Sequence, residues 1–330
     1  MRNMKAILLE IPGTVIMLFA VLAVSTSVPA AVPYPSRPVR LIVPMSAGGG
    51  TDIIARLITA KLSERLGKHV VVDNRGGGGG IIGTQMAAQA EPDGYTLVII
   101  NATNTIKPAL QKLPYDLLKS FTPVARVGSS IHVLVVHPSV PANSVKEFIA
   151  LAKQKPGELI FASLGVGSIG HMEIELFKIM ADIDFKIVQF KGAGPAVIDL
   201  LGGHSHALIG SIASSLPHIK SGRLRALGTG GVKRSVVLPD VPTIAEAGVP
   251  GYQAISWFGI LAPAGTPAPV VDMLNKELKE ILTLDEVRKV MLSAGLGADY
   301  LGPAEFGKFV KREMAQWAGV IKKANIKIEN

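Results

Sequence analysis

The chain of 330 residues contains no cysteine. Disulfide frameworks, thiolate nucleophiles and cysteine-ligated metals are therefore excluded, as is lipid attachment at an N-terminal cysteine. Aromatic residues make up only 5%, without the basic–aromatic interleaving that holds single-stranded nucleic acid. Charged residues stand at 18% against 48% hydrophobic ones, the balance of a folded globular protein and not of a disordered chain. There is no G-x-x-x-x-G-K-[ST] phosphate loop. After residue 30 no apolar run approaches the ~20 residues of a membrane span.

What is present begins with residues 1–30, which read as a secretory signal peptide. Arg2 and Lys5 make a basic start, 14–24 is an apolar run, and Val28-Pro29-Ala30 supplies small residues suited to cleavage after Ala30. Glu10 sits awkwardly between the basic and apolar parts, but the run is too short for an anchor. The mature chain is expected to be soluble outside the cytoplasm. Of the net charge of +9, this segment carries +1 from Arg2, Lys5 and Glu10, leaving +8. The Lys and Arg residues are scattered, so the excess reads as a solvated basic surface with a modest pull on acidic solutes. Nucleic acid is not an expected partner.

From Val39 onward, short β-rich runs alternate with helical stretches. Strands are expected at 39–43, 70–73 and 96–100, and helices at 52–66 and 82–90, the first with Ile53, Leu57 and Leu62 on one side. A second block has strands at 131–136, 159–162, 186–190, 207–209 and 225–228. Its helices are 169–181, 195–201 with proline in the first turn, and one opened by the capping box Ser144-Val145-Lys146-Glu147 and running to about residue 153. After the turn-rich stretch 239–252 the chain turns helical. Val271, Leu274, Leu278 and Ile281 form one core stripe, and Phe306, Val310, Met314 and Trp317 another. The alternation implies parallel strands with helices on both faces, hence an α/β fold. The length suits two domains, and the lack of a low-complexity linker implies that they are joined by crossing strands.

One pattern recurs: a strand, a glycine-rich turn, then a helix. It occurs at 46–52, at 76–80, at 163–168 and at 191–195. Glycine permits positive φ and close backbone approach to a ligand. The first N–H groups of a helix lack internal partners, and the helix dipole places partial positive charge there. Such turns are anion sites, and in open α/β sheets they lie at the strand ends that border the ligand crevice. Micromolar binding needs about 8 kcal/mol, whereas a hydrogen bond to a charged group gives roughly 1.5–3 kcal/mol. One turn is too little. Two facing turns, one per domain, with nearby hydroxyls, can reach that figure.

Rival readings are weaker. Gly165-Val166-Gly167-Ser168-Ile169-Gly170 fits G-x-G-x-x-G and keeps a nucleotide- or dinucleotide-binding enzyme as the alternative. That fingerprint wants an acid at the end of the next strand, where Gln189 and Phe190 stand. Gly203-His204-Ser205-His206-Ala207 approaches a nucleophile elbow but ends in alanine. His204, His206 and His218 have no carboxylate pattern beside them to make a metal site, and His171 reads as a structural hydrogen-bonder. No catalytic residue, metal or cofactor is expected.

At these residues the chain resembles the extracytoplasmic receptors of tripartite tricarboxylate transporters, the TctC or Bug family. The resemblance starts near Tyr34 and runs to the C-terminus. It rests on Leu41-Ile42-Val43-Pro44, Ala47-Gly48-Gly49-Gly50-Thr51-Asp52 and Val72-Asp73-Asn74-Arg75, then Pro92-Asp93-Gly94-Tyr95. Ser163-Leu164-Gly165-Val166-Gly167-Ser168, Lys191-Gly192-Ala193-Gly194-Pro195 and Trp257-Phe258-Gly259 continue it. It implies a type II periplasmic-binding-protein fold: two α/β domains joined by crossing strands with a cleft between them. Domain I would comprise 33–129 and 258–330, and domain II 130–257. The protein would be a periplasmic receptor, a monomer, delivering a small carboxylate-bearing solute to membrane permease subunits. Carried over residue by residue, Ser46, Ala47, Gly48, Gly49 and Asp52 form one wall. Ser163, Gly165, Gly167, Ser168, Lys191 and Gly192 form the other, with Asn101 and Asn104 near a strand end. Asp52, an acid beside an anion site, would cap its helix, order a water or meet a cationic group. The chain departs from the family in Ala47 for the usual proline, in Ile209-Gly210 for an aromatic–acid pair, and in Phe190 for tyrosine. The second and third departures remove polar groups from the expected rim.

Overall fold

The computed structural model describes residues 34–327 apart from Ser46 and Lys191. The expected signal segment, 1–30, lies outside these residues. The first elements are β1 (Val39–Val43), α1 (Gly50–Leu66), β2 (Val70–Asn74), α2 (Ile81–Ala88), β3 (Thr96–Asn101) and α3 (Ala102–Leu110). There follow β4 (Phe121–Val136), α4 (Val145–Gln154), β5 (Ile160–Ser163), α5 (Ile169–Ala181), β6 (Lys186–Gln189) and α6 (Ala193–Leu201). The chain continues with β7 (Ala207–Ser211), α7 (Ile212–Lys220), β8 (Arg225–Thr229) and β9 (Ile255–Pro263). It ends with α8 (Ala268–Ile281), α9 (Asp285–Ser293) and α10 (Pro303–Lys323).

The strands run in the order β2-β1-β3-β9-β4-β7-β5-β6, with β8 pairing β4 off this path. Pairing is parallel within β2-β1-β3 and β7-β5-β6, and antiparallel wherever β4 or β9 takes part. The long strand β4 changes partner midway. Residues from Phe121 to Ile131 lie against β9, and residues from His132 to Val136 against β7. β4 and β9 are therefore the crossing strands, and the fold is the two-domain α/β architecture expected. β4 begins at Phe121, ten residues before the expected start. Its register against β9 shifts near Pro123 and near Gly128, since proline cannot donate to a ladder and glycine marks bulges. Those two residues hide the strand from a propensity reading.

Each half of the sheet buries both faces. Leu41, Val43, Leu97 and Ile99 enter one core with Ile54, Ile58, Leu274 and Leu278, while Ile42, Val98 and Ile100 enter another with Trp257 and Phe306. Leu134 and Val136 meet Phe148, Phe161 and Phe177, while Val133 and Val135 meet Leu200 and Leu208. This is period-2 alternation in strands covered on both sides. The C-terminal stripes pack as expected, with Met314 half-buried. In α1 the buried face is Ile54, Ile58 and Leu62, and Ile53, expected in the core, is exposed. The Ser144 hydroxyl accepts from Glu147 N–H, but the Glu147 carboxylate returns to Asn143 N–H, one residue before the cap.

Candidate functional site

The start of α1 follows β1 through a turn in which Gly48 has φ +86°. Gly49 is the N-cap and offers no side-chain acceptor. Asp52 supplies one instead. Its Oδ2 accepts from Gly48 N–H at 2.9 Å and from Arg56 Nε at 3.0 Å, and its Oδ1 accepts from Asn74 Nδ2 at 3.0 Å. Among the described residues the N–H groups of Gly49, Gly50 and Thr51 have no partner. At the end of β3, Asn101 caps α3 by accepting from Thr103 N–H, and Asn104 closes a capping box by accepting from Asn101 N–H. Asn101 Nδ2 then donates to Thr51 Oγ1 at 3.1 Å, tying the starts of α1 and α3 together.

In the other half, Ser168 caps α5, its hydroxyl accepting from His171 N–H. Gly192, at φ +104°, precedes α6, and Ser211 caps α7 by accepting from Ala213 N–H. These starts meet those of α1 and α3 around one cavity of about 580 Å³, within the ~300–1,000 Å³ of small-molecule sites. Gly48, Gly49, Gly50, Thr51 and Asn101 line one side. Ser168, Ile169, Gly170, Ala193, Ser211 and Ser214 line the other, and Ser130, His132, Ser256 and Phe258 on the crossing strands line the floor. Five helix N-termini thus converge on a cavity whose described lining contains no Lys, Arg, Asp or Glu. The positive potential comes from helix dipoles and backbone N–H groups, the arrangement that favours an anion without a formal counter-charge. Two other cavities, near 530 and 410 Å³, receive no helix start: one lies at the C-terminal ends of α4 and α5, the other behind the crossing strands against α10.

Of the expected site residues, Gly48, Gly49, Asn101 and Ser168 line the cavity. Ser46 and Lys191 lie outside the described residues. Ala47, Asp52, Asn104, Ser163, Gly165, Gly167 and Gly192 do not line it. Asn104 is buried and spends its amide on Thr84 Oγ1 at 3.1 Å. Ser163 is fully buried at the end of β5. A Cβ on Gly165 would stand 3.1 Å from the Phe190 carbonyl, and one on Gly167 2.6 Å from Leu110 Cδ1, so both shape the turn. Among the rim departures, Ile209 is buried in a core and Phe190 packs against one. His171 has the structural role expected: Nδ1 accepts from Gly167 N–H at 3.3 Å, and burial lowers its pKa to about 4, so it is neutral. Among the described residues no group of three His, Asp or Glu is placed to hold a metal.

Sequence reasoning missed Ser130, His132, Ser211, Ser214 and Ser256. A signal was available on the crossing strand, because Ser130 and His132 are polar residues two apart in an apolar run, and residues two apart share a strand face. The G-x-G-x-x-G reading loses its basis. The strand after it, β6, ends in exposed Gln189 with no acid, and Gly170 packs under Leu164, whose Cδ1 would stand 2.1 Å from a Cβ there.

Asp52 holds the α1 start rather than facing the cavity. Burial pushes its carboxyl up, but hydrogen bonds from Arg56, Gly48 N–H and Asn74 outweigh this and hold it below the ordinary carboxylate range. A depressed folded pKa gives stability that is present above the unfolded value near ~4 and is lost as pH falls through the folded one. Asp52→Asn should therefore cost about 1–3 kcal/mol at neutral pH, and the deficit should shrink in acid. Urea titrations at about pH 7 and about pH 3 check this; equal deficits at both would contradict it.

The family model "Tripartite tricarboxylate transporter family receptor" matches residues 54–326. Protein BugT of Bordetella pertussis is 38% identical over 299 residues, covering 90% of this chain and 92% of that protein. An R. palustris protein solved with adipate superposes with TM-score 0.79 at 38% identity, over 89% of this chain and 99% of the other. MatC of Rhodopseudomonas palustris, solved with bound malate, superposes with TM-score 0.75 at 32% identity, over 87% of this chain and all of the other. With its crossing-strand fold and a cavity ringed by helix starts, the chain belongs to the TctC/Bug family of solute-binding receptors, which are not enzymes.

Proposed function

We propose that this receptor closes around a small dicarboxylate outside the cytoplasm and presents it to the permease subunits of a tripartite transporter. The observation that carries the reading is the convergence of five helix N-termini on one cavity without a lining acid or ammonium group among the described residues. A single carboxylate cannot reach all five starts, which sit on two opposing walls, whereas a molecule with an anionic group at each end can engage both. Adipate and malate, held by relatives 38% and 32% identical, have that form. The proposed lobes are 33–129 with 258–330, and 130–257. The partner switch of β4 between Ile131 and His132, and the matching end of β9 at Ile255, supply a hinge there. Export through residues 1–30 and a monomeric state are part of the same proposal. The expected contacts are the α1, α3 and α5 starts, with Ser46 and Lys191 included from the family pattern.

A thermal-shift panel tests the reading. Adipate, malate and succinate should each raise the unfolding temperature, the stabilisation growing with the logarithm of ligand concentration over Kd and reaching about 2.7 kcal/mol at a hundred times Kd. The diamide of adipate, which has the same length but no charge, should give no shift. Saturable binding of nucleotides alone, or of the diamide as well as the acid, would overturn the assignment.

A further inference from the structure

At the point where β4 changes partner, His132 lines the cavity and is itself only 6% exposed. Its Nδ1 is hydrogen-bonded to Glu173 Oε2 of α5. Glu173 is wholly buried, and its Oε1 has no partner among the described residues. No described residue bonds Nε2 of His132, the ring nitrogen left for the cavity. Among the described lining residues, His132 is the one whose side chain can carry charge. A carboxylate this deeply buried has to be paired or protonated, and among the described residues the His132 imidazole is its one side-chain partner.

We propose that His132 is a specificity-determining residue that donates its Nε2–H to one carboxylate of the cargo, with Glu173 as the positioning residue that keeps the required proton in the pair. This rests on the dicarboxylate reading above and extends it.

The protonation states of the pair dictate the outcome. With one proton shared, Nε2 carries hydrogen wherever that proton sits. If Glu173 holds it, its O–H donates to Nδ1 and the ring's own hydrogen is on Nε2; if the ring holds it, both nitrogens are protonated. When the pair loses the proton, Nδ1–H donates to the carboxylate and Nε2 presents a lone pair, which repels an anion. Binding above the pair's apparent pKa therefore takes one proton from solvent, and it joins the pair as the Nε2–H···carboxylate bond forms. Burial pushes Glu173 above the usual carboxylate range, and His132 pulls it back. Other groups shape the balance. Glu313 of α10 adds negative potential that raises Glu173, and Arg126 of β4 pulls Glu313 down. The Tyr252 hydroxyl donates to the Glu173 carbonyl at 2.9 Å and stays protonated, and His171 of α5 is neutral. None of these hydrogen-bonds the side chain of His132 or of Glu173; the Tyr252 bond goes to the Glu173 backbone.

The test is calorimetric titration of the full chain with adipate from about pH 6 to about pH 9, in buffers of different ionisation enthalpy. For wild type, affinity should fall by up to roughly tenfold per pH unit above the pair's pKa, with proton uptake approaching one. His132→Leu should lose about 10- to 100-fold in affinity and all uptake. Glu173→Gln cannot hold the extra proton. Its amide donates to Nδ1 and leaves Nε2 protonated, so affinity near pH 6 should be kept while the pH profile flattens. A merely structural Glu173 would not give that flattening. Adipate binding that exchanges no proton and ignores both pH and His132→Leu would overturn this proposal alone. Failure of wild type to bind any dicarboxylate would overturn the receptor reading and this proposal with it. The buffer comparison needs only wild type, so poor folding of a variant does not blunt it.

Discussion

Gly48→Val should weaken dicarboxylate binding about a hundredfold while moving the ligand-free melting temperature by only about 2–8 °C. Gly48 sits at φ +86°, and a Cβ there would meet nothing within 4 Å. The Cβ of valine therefore has room, but the side chain costs about 1–2 kcal/mol in the left-handed region. The turn relieves that cost by rotating back to negative φ. Gly48 N–H then leaves Asp52 Oδ2, and the N–H groups of Gly49, Gly50 and Thr51, without partners among the described residues, swing off the cavity. Losing one or two bonds to a charged oxygen, each roughly 1.5–3 kcal/mol, gives the hundredfold figure. Gly165→Val provides the contrast. A Cβ there presses on the Phe190 carbonyl at 3.1 Å and the residue does not line the cavity, so stability should suffer more than affinity. Calorimetry and melting curves on both variants decide it; unchanged affinity in Gly48→Val would remove the α1 start from the binding site.

The contrast between these glycines marks how far the sequence could be read. The helix starts of α1, α5 and α6 announced themselves because a backbone needing positive φ at Gly48, Gly165, Gly167 and Gly192 leaves a visible glycine. The starts of α3 and α7 are capped by Asn101 and Ser211. Neither carries a glycine signature: Asn101 is expected at the site only through the family resemblance, and Ser211 is brought to the same cavity by the topology alone. The run 76–80 has the same glycine signature, yet Gly79 and Gly80 lie against Lys107 and Met45 and do not line the cavity. Composition says where a helix begins, not which crevice it faces. Burial on both faces made the strands legible, because continuous apolar runs such as Leu97–Ile100 fit few other elements. It also hid the floor: Ser130, His132 and Ser256 sit in strands whose side-chain partners lie more than forty residues away in sequence, as Glu173 does from His132.

Trp257→Ala should destabilise the protein by about 3–5 kcal/mol, a large share of the ~5–15 kcal/mol typical of folded chains, with a fall in melting temperature of about 6–20 °C. The indole is 1% exposed, sits edge-on to Phe306 and Phe309 at 5.6 and 5.3 Å, and donates to Glu313 Oε2 at 2.9 Å. Burial pushes the Glu313 carboxyl above its usual range, and the N–H bonds from Trp257 and Trp317 pull it back. Removing one donor raises it further. A raised folded pKa means stability that is present below the unfolded value and lost as pH rises through the folded one. The variant's deficit should therefore be greater at about pH 8 than at about pH 4. Trp257→Phe keeps most of the ring packing and gives up only the donor, so about 1–3 kcal/mol is expected, with the same pH trend. Strand alternation confines the damage: Ser256 and Phe258 line the cavity, and Trp257 lies on the opposite face. Dicarboxylate affinity of the folded variant, measured below its transition, should stay within about twofold of wild type. A deficit independent of pH would deny Glu313 its part. A large loss of affinity without loss of stability would mean that the two faces of β9 are coupled through the hinge.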